Sequence, residues 1–342
     1  MLKRVLIVKT SSLGDVIHTL PAITEAKKQY PDIIFDWVVE ESLQEIPKLH
    51  PAVDKVIPVA IRRWRKHWLK HLKNKEIQEF IKKLKSNNYD LIIDAQGLFK
   101  SALITKFAKG KVVGLDRKSA REGWIAPLFY KKSYKVEKSQ HAIDRVKQLV
   151  ASALGYRVEQ STINYGLSYC WNPLSQTKTI CFLHATTWQS KHWPSEYWRQ
   201  LAELLAKDGF KIVLPWGNEI EKEKAQAIQL GFPHVSLLPK MSITQLADYF
   251  SSLSAVVSVD TGLAHLAAAI EVPTVSIYGS TNPSLTATKG KHQLHLKVNY
   301  ACAPCLKRQC QYKQNEHTIY PPCYTTVTPK LVANALLELI QS

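Results

Sequence analysis

The 342-residue chain is predicted to fold as two α/β domains with parallel sheets, facing one another across a cleft. Short apolar runs alternate with amphipathic segments, the pattern of strands buried on both faces by crossover helices. The series starts afresh after Ser161–Thr177, a stretch with Ser, Thr, Asn and Pro but no clear periodicity, which reads as the linker. The length also suits two ordinary cores better than one small core. The expected division is an N-terminal domain 1–165, a C-terminal domain 166–328 and a last helix within 329–342.

In the first series Val5–Val8 reads as a buried strand, and Leu13–Lys28 as one helix with Val16, Leu20, Ile23 and Ala26 on a common face. Phe35–Val39, Lys55–Val59 and Leu91–Asp94 follow as strands. Glu76–Lys85 is a helix stopping near Asn87-Asn88. In the second series Thr179–His184 is a strand, and Pro194-Ser195-Glu196 opens a helix carrying Trp198, Leu201 and Leu205, stopped by Gly209. Lys211–Leu214, Ala255–Val259 and Thr274–Tyr278 are strands, with a short helix at Leu263–Ile270. Leu331–Ile340 is the C-terminal helix.

Composition bounds the function. An apolar content of 45% with nine Trp and fourteen Tyr excludes a disordered chain. No apolar run approaches the roughly 18 residues of a membrane span. Met1–Val8 has too short an apolar core for a signal peptide, so a cytosolic protein is expected. Net charge is +18, which calls for an anionic partner: nucleic acid, an anionic membrane face or an acidic substrate. Ten Lys or Arg against two Glu fall in Ile61–Lys85, interleaved with Trp64 and Trp68. Lys131, Lys132, Lys135 and Lys138 form a second basic cluster. Six cysteines in a cytosolic chain are no disulfide framework. Cys302, Cys305, Cys310 and Cys323 are a zinc candidate by ligand type, but their spacing is not that of a paired-CxxC ribbon, and reduced, metal-free thiols are the expectation.

Three strand-to-helix junctions carry the candidate chemistry, because ligands of open α/β sheets bind at the carboxyl ends of strands. At Lys9-Thr10-Ser11-Ser12-Leu13-Gly14-Asp15, small residues leave amides open to an anion, or the Ser and Asp side chains cap the helix. At His184-Ala185-Thr186-Thr187, followed by Lys191, two hydroxyls and an ammonium suit a diphosphate; an N-cap with a surface lysine is the plainer alternative. At Asp260-Thr261-Gly262-Leu263-Ala264-His265, Gly262 permits close backbone approach to phosphate, while His265 is a helical histidine of either packing or binding role. Glu221, beyond Trp216-Gly217, is placed either to hold ribose hydroxyls or to be a solvated carboxylate. The chain contains no Asp-x-Asp, the usual carboxylate pair for a metal-bound diphosphate.

Several stretches resemble the inverting, ADP-heptose-dependent heptosyltransferases of lipopolysaccharide synthesis. They include Val5–Asp15, Asp36–Glu41, Val56–Lys66, Asp94-Ala95-Gln96-Gly97, His184–Thr187, Leu238–Ser242 and Val257–His265. The resemblance implies a GT-B type fold of two Rossmann-like domains, and no cofactor or metal. It implies transfer of L-glycero-D-manno-heptose from ADP-heptose to Kdo of Kdo2-lipid A with inversion, Asp15 acting as base. The donor would lie on Thr186, Thr187, Lys191, Glu221, Met241, Asp260, Thr261, Gly262 and His265. The acceptor would lie on Ser12, Gly14, Arg62, Arg63, Lys66, Lys100 and Arg121. Ser280-Thr281-Asn282-Pro283 departs from the family's more usual Pro-Thr-Asp-Pro. The four-cysteine segment resembles enzymes that act on the first heptose instead, which keeps that acceptor open as the alternative. The implied location is the cytoplasmic face of the inner membrane, in peripheral contact with anionic lipid. A nucleic-acid-binding protein is the distant rival, without an RNA-binding signature; a nucleotide-dependent oxidoreductase lacks a G-x-G-x-x-G after any predicted strand.

Overall fold

A computed structural model describes residues 2–66, 75–159, 163–172 and 177–341. The chain divides into two compact units, Met1–Ser168 and Tyr169–Ser342. Trp68, Lys70 and Lys73 of the basic segment lie outside the described residues.

Unit 1 contains a six-stranded sheet: β1 (Arg4–Val8), β2 (Ile34–Glu40), β3 (Val53–Val59), β4 (Asn88–Asp94), β5 (Lys109–Leu115) and β6 (Lys132–Tyr134). Their order is β3-β2-β1-β4-β5-β6, and every pairing is parallel. Val5, Leu6, Ile7 and Val8 are fully buried, as expected of a central strand with both faces covered. Unit 2 contains β7 (Thr177–Leu183), β8 (Lys211–Leu214), β9 (Val235–Leu237), β10 (Leu253–Val259), β11 (Thr274–Tyr278) and β12 (Gln293–Lys297), ordered β12-β11-β10-β7-β8-β9, again all parallel. Read from its own first strand, unit 2 has the same order as unit 1, so both are doubly wound Rossmann-like sheets. The Pro329–Gln341 helix packs on the Ser195–Lys207 helix within unit 2.

The helix expected over Leu13–Lys28 is broken. Leu13–Ile17 and Leu20–Gln29 are separate helices joined at His18-Thr19. Pro21 sits in the first turn of the second, where its missing N–H costs nothing, and the Thr19 hydroxyl donates to the Asp15 carbonyl at 3.0 Å. The break leaves Asp15 on a one-turn helix rather than inside a long one.

Charge is divided unevenly. Residues 1–168 carry 31 Lys or Arg against 17 Asp or Glu, a net +14; residues 169–342 carry 15 against 11, a net +4.

Candidate functional site

The strand order of each unit reverses direction beside its first strand, between β1 and β4 in unit 1 and between β7 and β10 in unit 2. At such a point the two following loops part and leave a crevice. All three junctions singled out from sequence sit at these crevices.

In unit 1 the loop after β1 is held from both sides. Gln96 Oε1, beyond β4, accepts the Thr10 and Ser11 amides, both at 3.1 Å, and the amide of Glu40, the last residue of β2, donates to the Thr10 carbonyl at 3.1 Å. The Arg62 amide donates to Glu40 Oε1 at 3.1 Å, which brings the loop after β3 to the same edge. Gln96 is fixed by Asp94, a fully buried carboxylate that accepts the Gln96 and Gly97 amides, the Ser101 hydroxyl and the Tyr130 hydroxyl at 2.8–3.1 Å. Burial raises the pKa of Asp94, opposed by those four donors. Gly97, at φ +66, supplies the turn, and its carbonyl accepts the Glu122 amide, which draws in the loop after β5 that carries Arg121.

Asp15 therefore stands on a braced loop. Its Oδ2 accepts the Ser12 amide at 2.7 Å and the Ser12 hydroxyl at 2.8 Å. Gly14, one residue earlier, is buried. Lys9 is buried below the crevice, with Nζ donating to the Ala95 carbonyl at 3.1 Å. Burial lowers its pKa, Asp15 and Asp94 oppose that, and Arg145 and Arg121 add to it. Neither Lys9 nor Gln96 was selected from sequence as a site residue, although both occupy strand-end positions where such groups belong.

Of the other unit 1 candidates, Lys100 lies in the first turn of the Phe99–Thr105 helix and Arg121 is exposed in the following loop. Arg62, Arg63 and Lys66 share the Ile61–Lys66 helix. The Arg63 guanidinium is already committed: it pairs with Glu41 at 2.9 Å and with Glu76, and these carboxylates raise its pKa. The basic segment is thus partly neutralised at this position. Trp64 turns inward against Phe80, ring centroids 5.7 Å apart, and packs on the core. The Trp64 indole is therefore not presented outward among the cations of this segment.

In unit 2 Thr186, Lys191, Asp260 and Thr281 form one cluster. The Thr186 hydroxyl donates to the Asp260 carbonyl at 2.9 Å, Lys191 Nζ meets Asp260 Oδ2 at 2.7 Å, and the Thr281 hydroxyl donates to the same oxygen at 2.6 Å. Lys191 also lies 4.6 Å from the Trp188 ring centroid. Thr261 caps the Gly262–Ala269 helix in extended geometry; its carbonyl accepts the Ala264 amide at 3.2 Å, but its side chain makes no cap bond, so the helix start lacks a side-chain acceptor. His265, one turn on, is buried. Thr187 is exposed beside the half-buried Thr186. Glu221 Oε2 accepts the Gly217 amide at 2.8 Å, and the Trp216 indole donates to the Leu238 carbonyl at 2.8 Å, tying the loop after β8 to the loop that ends at Met241. Thr281 joins the cluster from the segment that departs from the family pattern, and sequence gave no warning of it.

Cys302, Cys305, Cys310 and Cys323 line one cavity with Ser190, Ser280 and Tyr312, all four as free thiols. Burial pushes Cys323 up to about 12 and raises Cys302 as well. Among the described residues no group of three or more His, Cys, Asp or Glu is arranged to hold a metal ion, and no helix is long and apolar enough to cross a membrane.

The model of glycosyltransferase family 9 (heptosyltransferase) matches residues 77–316. The chain is 48% identical over 350 aligned positions to lipopolysaccharide heptosyltransferase 1 of Pseudomonas aeruginosa, covering 98% of both. It is similar to the solved structure of E. coli heptosyltransferase WaaC with ADP, at 43% identity and a TM-score of 0.85, covering 98% of this chain and 99% of that one. The same protein with ADP-2-deoxy-2-fluoro heptose gives a TM-score of 0.82 at the same identity and coverage. With the fold, the two crevices and a match along nearly its whole length, the chain belongs to glycosyltransferase family 9, the heptosyltransferases.

Proposed function

We propose that this protein transfers L-glycero-D-manno-heptose from ADP-heptose to Kdo of Kdo2-lipid A, with inversion at the anomeric carbon. The observation that carries this reading is the Thr186–Lys191–Asp260–Thr281 cluster beside uncapped helix amides in unit 2, a site for a nucleotide diphosphate. The names of the relatives, with ADP and an ADP-heptose analogue bound in WaaC, support the choice of donor. Unit 2 holds ADP-heptose through Thr186, Thr187, Lys191, Glu221, Met241, Asp260, Thr261, Gly262 and His265. Unit 1 holds the acceptor through Ser12, Gly14, Arg62, Arg63, Lys66, Lys100 and Arg121, Arg63 having to exchange its pairing with Glu41 and Glu76 for the acceptor.

In the reaction Asp15 takes the proton of the acceptor hydroxyl as its oxygen attacks the anomeric carbon. The bond from that carbon to the diphosphate breaks, and ADP leaves with both electrons. Lys191, the threonine hydroxyls and the Thr261-Gly262 amides stabilise the charge that develops on the diphosphate. No metal is assigned a step. The enzyme works at the cytoplasmic face of the inner membrane, where its lipid-borne acceptor is anchored. Incubation with ADP-heptose and Kdo2-lipid A, followed by mass analysis for one added heptose, tests the proposal. Transfer only to an acceptor that already bears the first heptose would replace Kdo as the substrate.

A further inference from the structure

We infer that unit 1 docks on an anionic phospholipid bilayer through a surface built by the Phe99–Thr105 helix and the 116–132 loop, not through the aromatic residues of the 61–66 helix. Four large apolar side chains are exposed there: Phe99 (42%), Leu103 (41%), Trp124 (72%) and Leu128 (78%). Phe99, Leu103 and Lys106 recur at helical spacing and so share one face. Phe129 packs edge-on to Phe99 with ring centroids 5.9 Å apart, and Lys106 lies 5.4 Å from the Phe129 ring centroid. The Phe99 amide donates to Glu122 Oε2 at 2.6 Å, which fixes the turn carrying Trp124 to the start of the helix. The apolar residues therefore form one patch on two elements braced against each other.

Its surroundings identify the partner. Residues 97–134 contain nine Lys or Arg and two acids, Asp116 and Glu122. Both acids are engaged by backbone amides, Asp116 by those of Lys118 and Ser119 and Glu122 by that of Phe99. Among the described residues Lys100, Lys106, Lys131 and Lys132 have no carboxylate at ion-pair distance, so the rim is strongly cationic. Exposed Trp and Leu ringed by lysines match the bilayer interface, where the indole sits at headgroup level and the cations face lipid phosphates. Each such cation improves partitioning roughly fivefold. A second copy of this chain is the poorer partner, since two units of net +14 repel one another. The patch also adjoins Lys100 and Arg121 at the carboxyl edge of the sheet that carries Asp15. This inference rests on the acceptor being lipid-anchored, and it adds where the lipid surface is met.

The test uses full-length protein and phosphatidylcholine–phosphatidylglycerol vesicles free of acceptor. Trp124→Ser with Leu128→Ser should weaken binding at least about tenfold at any salt concentration. Lys106→Gln with Lys132→Gln should weaken it at low salt only, the difference fading as salt is raised. Heptose transfer to a detergent-dispersed acceptor should stay within about twofold in both variants. Wild-type affinity in the Trp124/Leu128 variant, a parallel loss of transfer to the dispersed acceptor, or a wild-type dimer in sedimentation that this variant dissolves would each overturn the assignment. Failure of the proposed reaction reads differently: no heptose is added to the dispersed acceptor by wild type, whatever the vesicle result.

Discussion

Asp15 caps a helix in the structure and is the proposed base, and substitution can separate the two roles. Its Oδ2 accepts the Ser12 amide and hydroxyl at 2.7 and 2.8 Å, closing a reciprocal cap at the start of the Leu13–Ile17 helix. Loss of such a cap costs about 1 kcal/mol, which in a unit of this size lowers Tm by about 2–4 °C. Loss of the general base costs about 3–5 kcal/mol in the transition state, a fall in kcat of roughly 10²–10⁴. Asp15→Ala removes both functions. Asp15→Asn keeps an oxygen to accept the Ser12 amide and removes only the proton acceptor. Both variants should lose kcat by roughly 10² or more, while the Tm deficit of the Ala variant should be the larger. ADP-heptose affinity, measured by titration calorimetry, should be nearly unchanged in both, since the proposed donor residues belong to unit 2. Asp15→Asn with kcat within about tenfold of wild type would remove Asp15 from the base role and leave it a helix cap.

Lys191→Ala should weaken ADP-heptose binding and slow transfer by roughly 10², because it removes a cation and exposes the diphosphate to the Asp260 carboxylate; adding Asp260→Asn should recover part of that loss, and no recovery would show that the pair acts only through structure. Chelator should leave wild-type transfer intact, and inhibition reversed by Mg²⁺ would sink the metal-free scheme. Purified protein should carry well under one zinc per chain, and stoichiometric zinc lost in Cys305→Ser would make the cysteine cavity a metal site. His50 is buried and held at a pKa of about 4 by desolvation, its Nδ1 accepting the Ala52 amide at 3.1 Å and its Nε2 bonded to the Thr24 hydroxyl at 2.9 Å. Its folded pKa lies below the unfolded 6.5, so its contribution is complete above about pH 6.5 and is lost as pH falls towards 4. Unfolding midpoints should drop across that window, and His50→Gln should flatten the slope; an unchanged slope would assign it to other groups.

The central strands were legible because strands buried on both faces are dominated by apolar residues, and β1, β2, β7, β10 and β11 each carry such a run despite Asp36 inside β2. Of the outer strands, the edge strand β3 was read from Lys55–Val59, but β5, β6, β9 and β12 were not. Lys109–Leu115 carries Lys109, Lys111 and two glycines, Lys132–Tyr134 is three residues long, and Gln293–Lys297 is only half-buried. Edge positions demand little of their side chains, so their sequences carry little signal. The broken first helix was written in Pro21, which fits a first turn but cannot follow four helical residues without removing a bond.

The sites divide in the same way. Strand-end loops can be found from one stretch of sequence, so Asp15, Thr186 and Asp260 were within reach. Their partners come from other loops: Gln96 grips the Thr10 and Ser11 amides from 85 or 86 residues away, and Thr281 reaches Asp260 from 21. Such pairs are set by strand order, which no local pattern encodes. The shared strand order also shows how one architecture would serve the two proposed roles. In unit 1 the β4 loop places a buried carboxylate, Asp94, behind Gln96, and this fixes the backbone so that Asp15 is presented at the crevice. In unit 2 the β10 loop places its carboxylate, Asp260, in the crevice itself, where it orients Lys191 and Thr281. A carboxylate that orders backbone holds its neighbour in the position proposed for the base. A carboxylate that orders a cation and a hydroxyl builds a socket for phosphate, and a diphosphate entering it competes with Asp260 for Lys191. The donor affinity of this chain should therefore rise in Asp260→Asn when Lys191 is kept. Titration with ADP tests this: tighter binding means competition, weaker binding means that the pair is a positioning device.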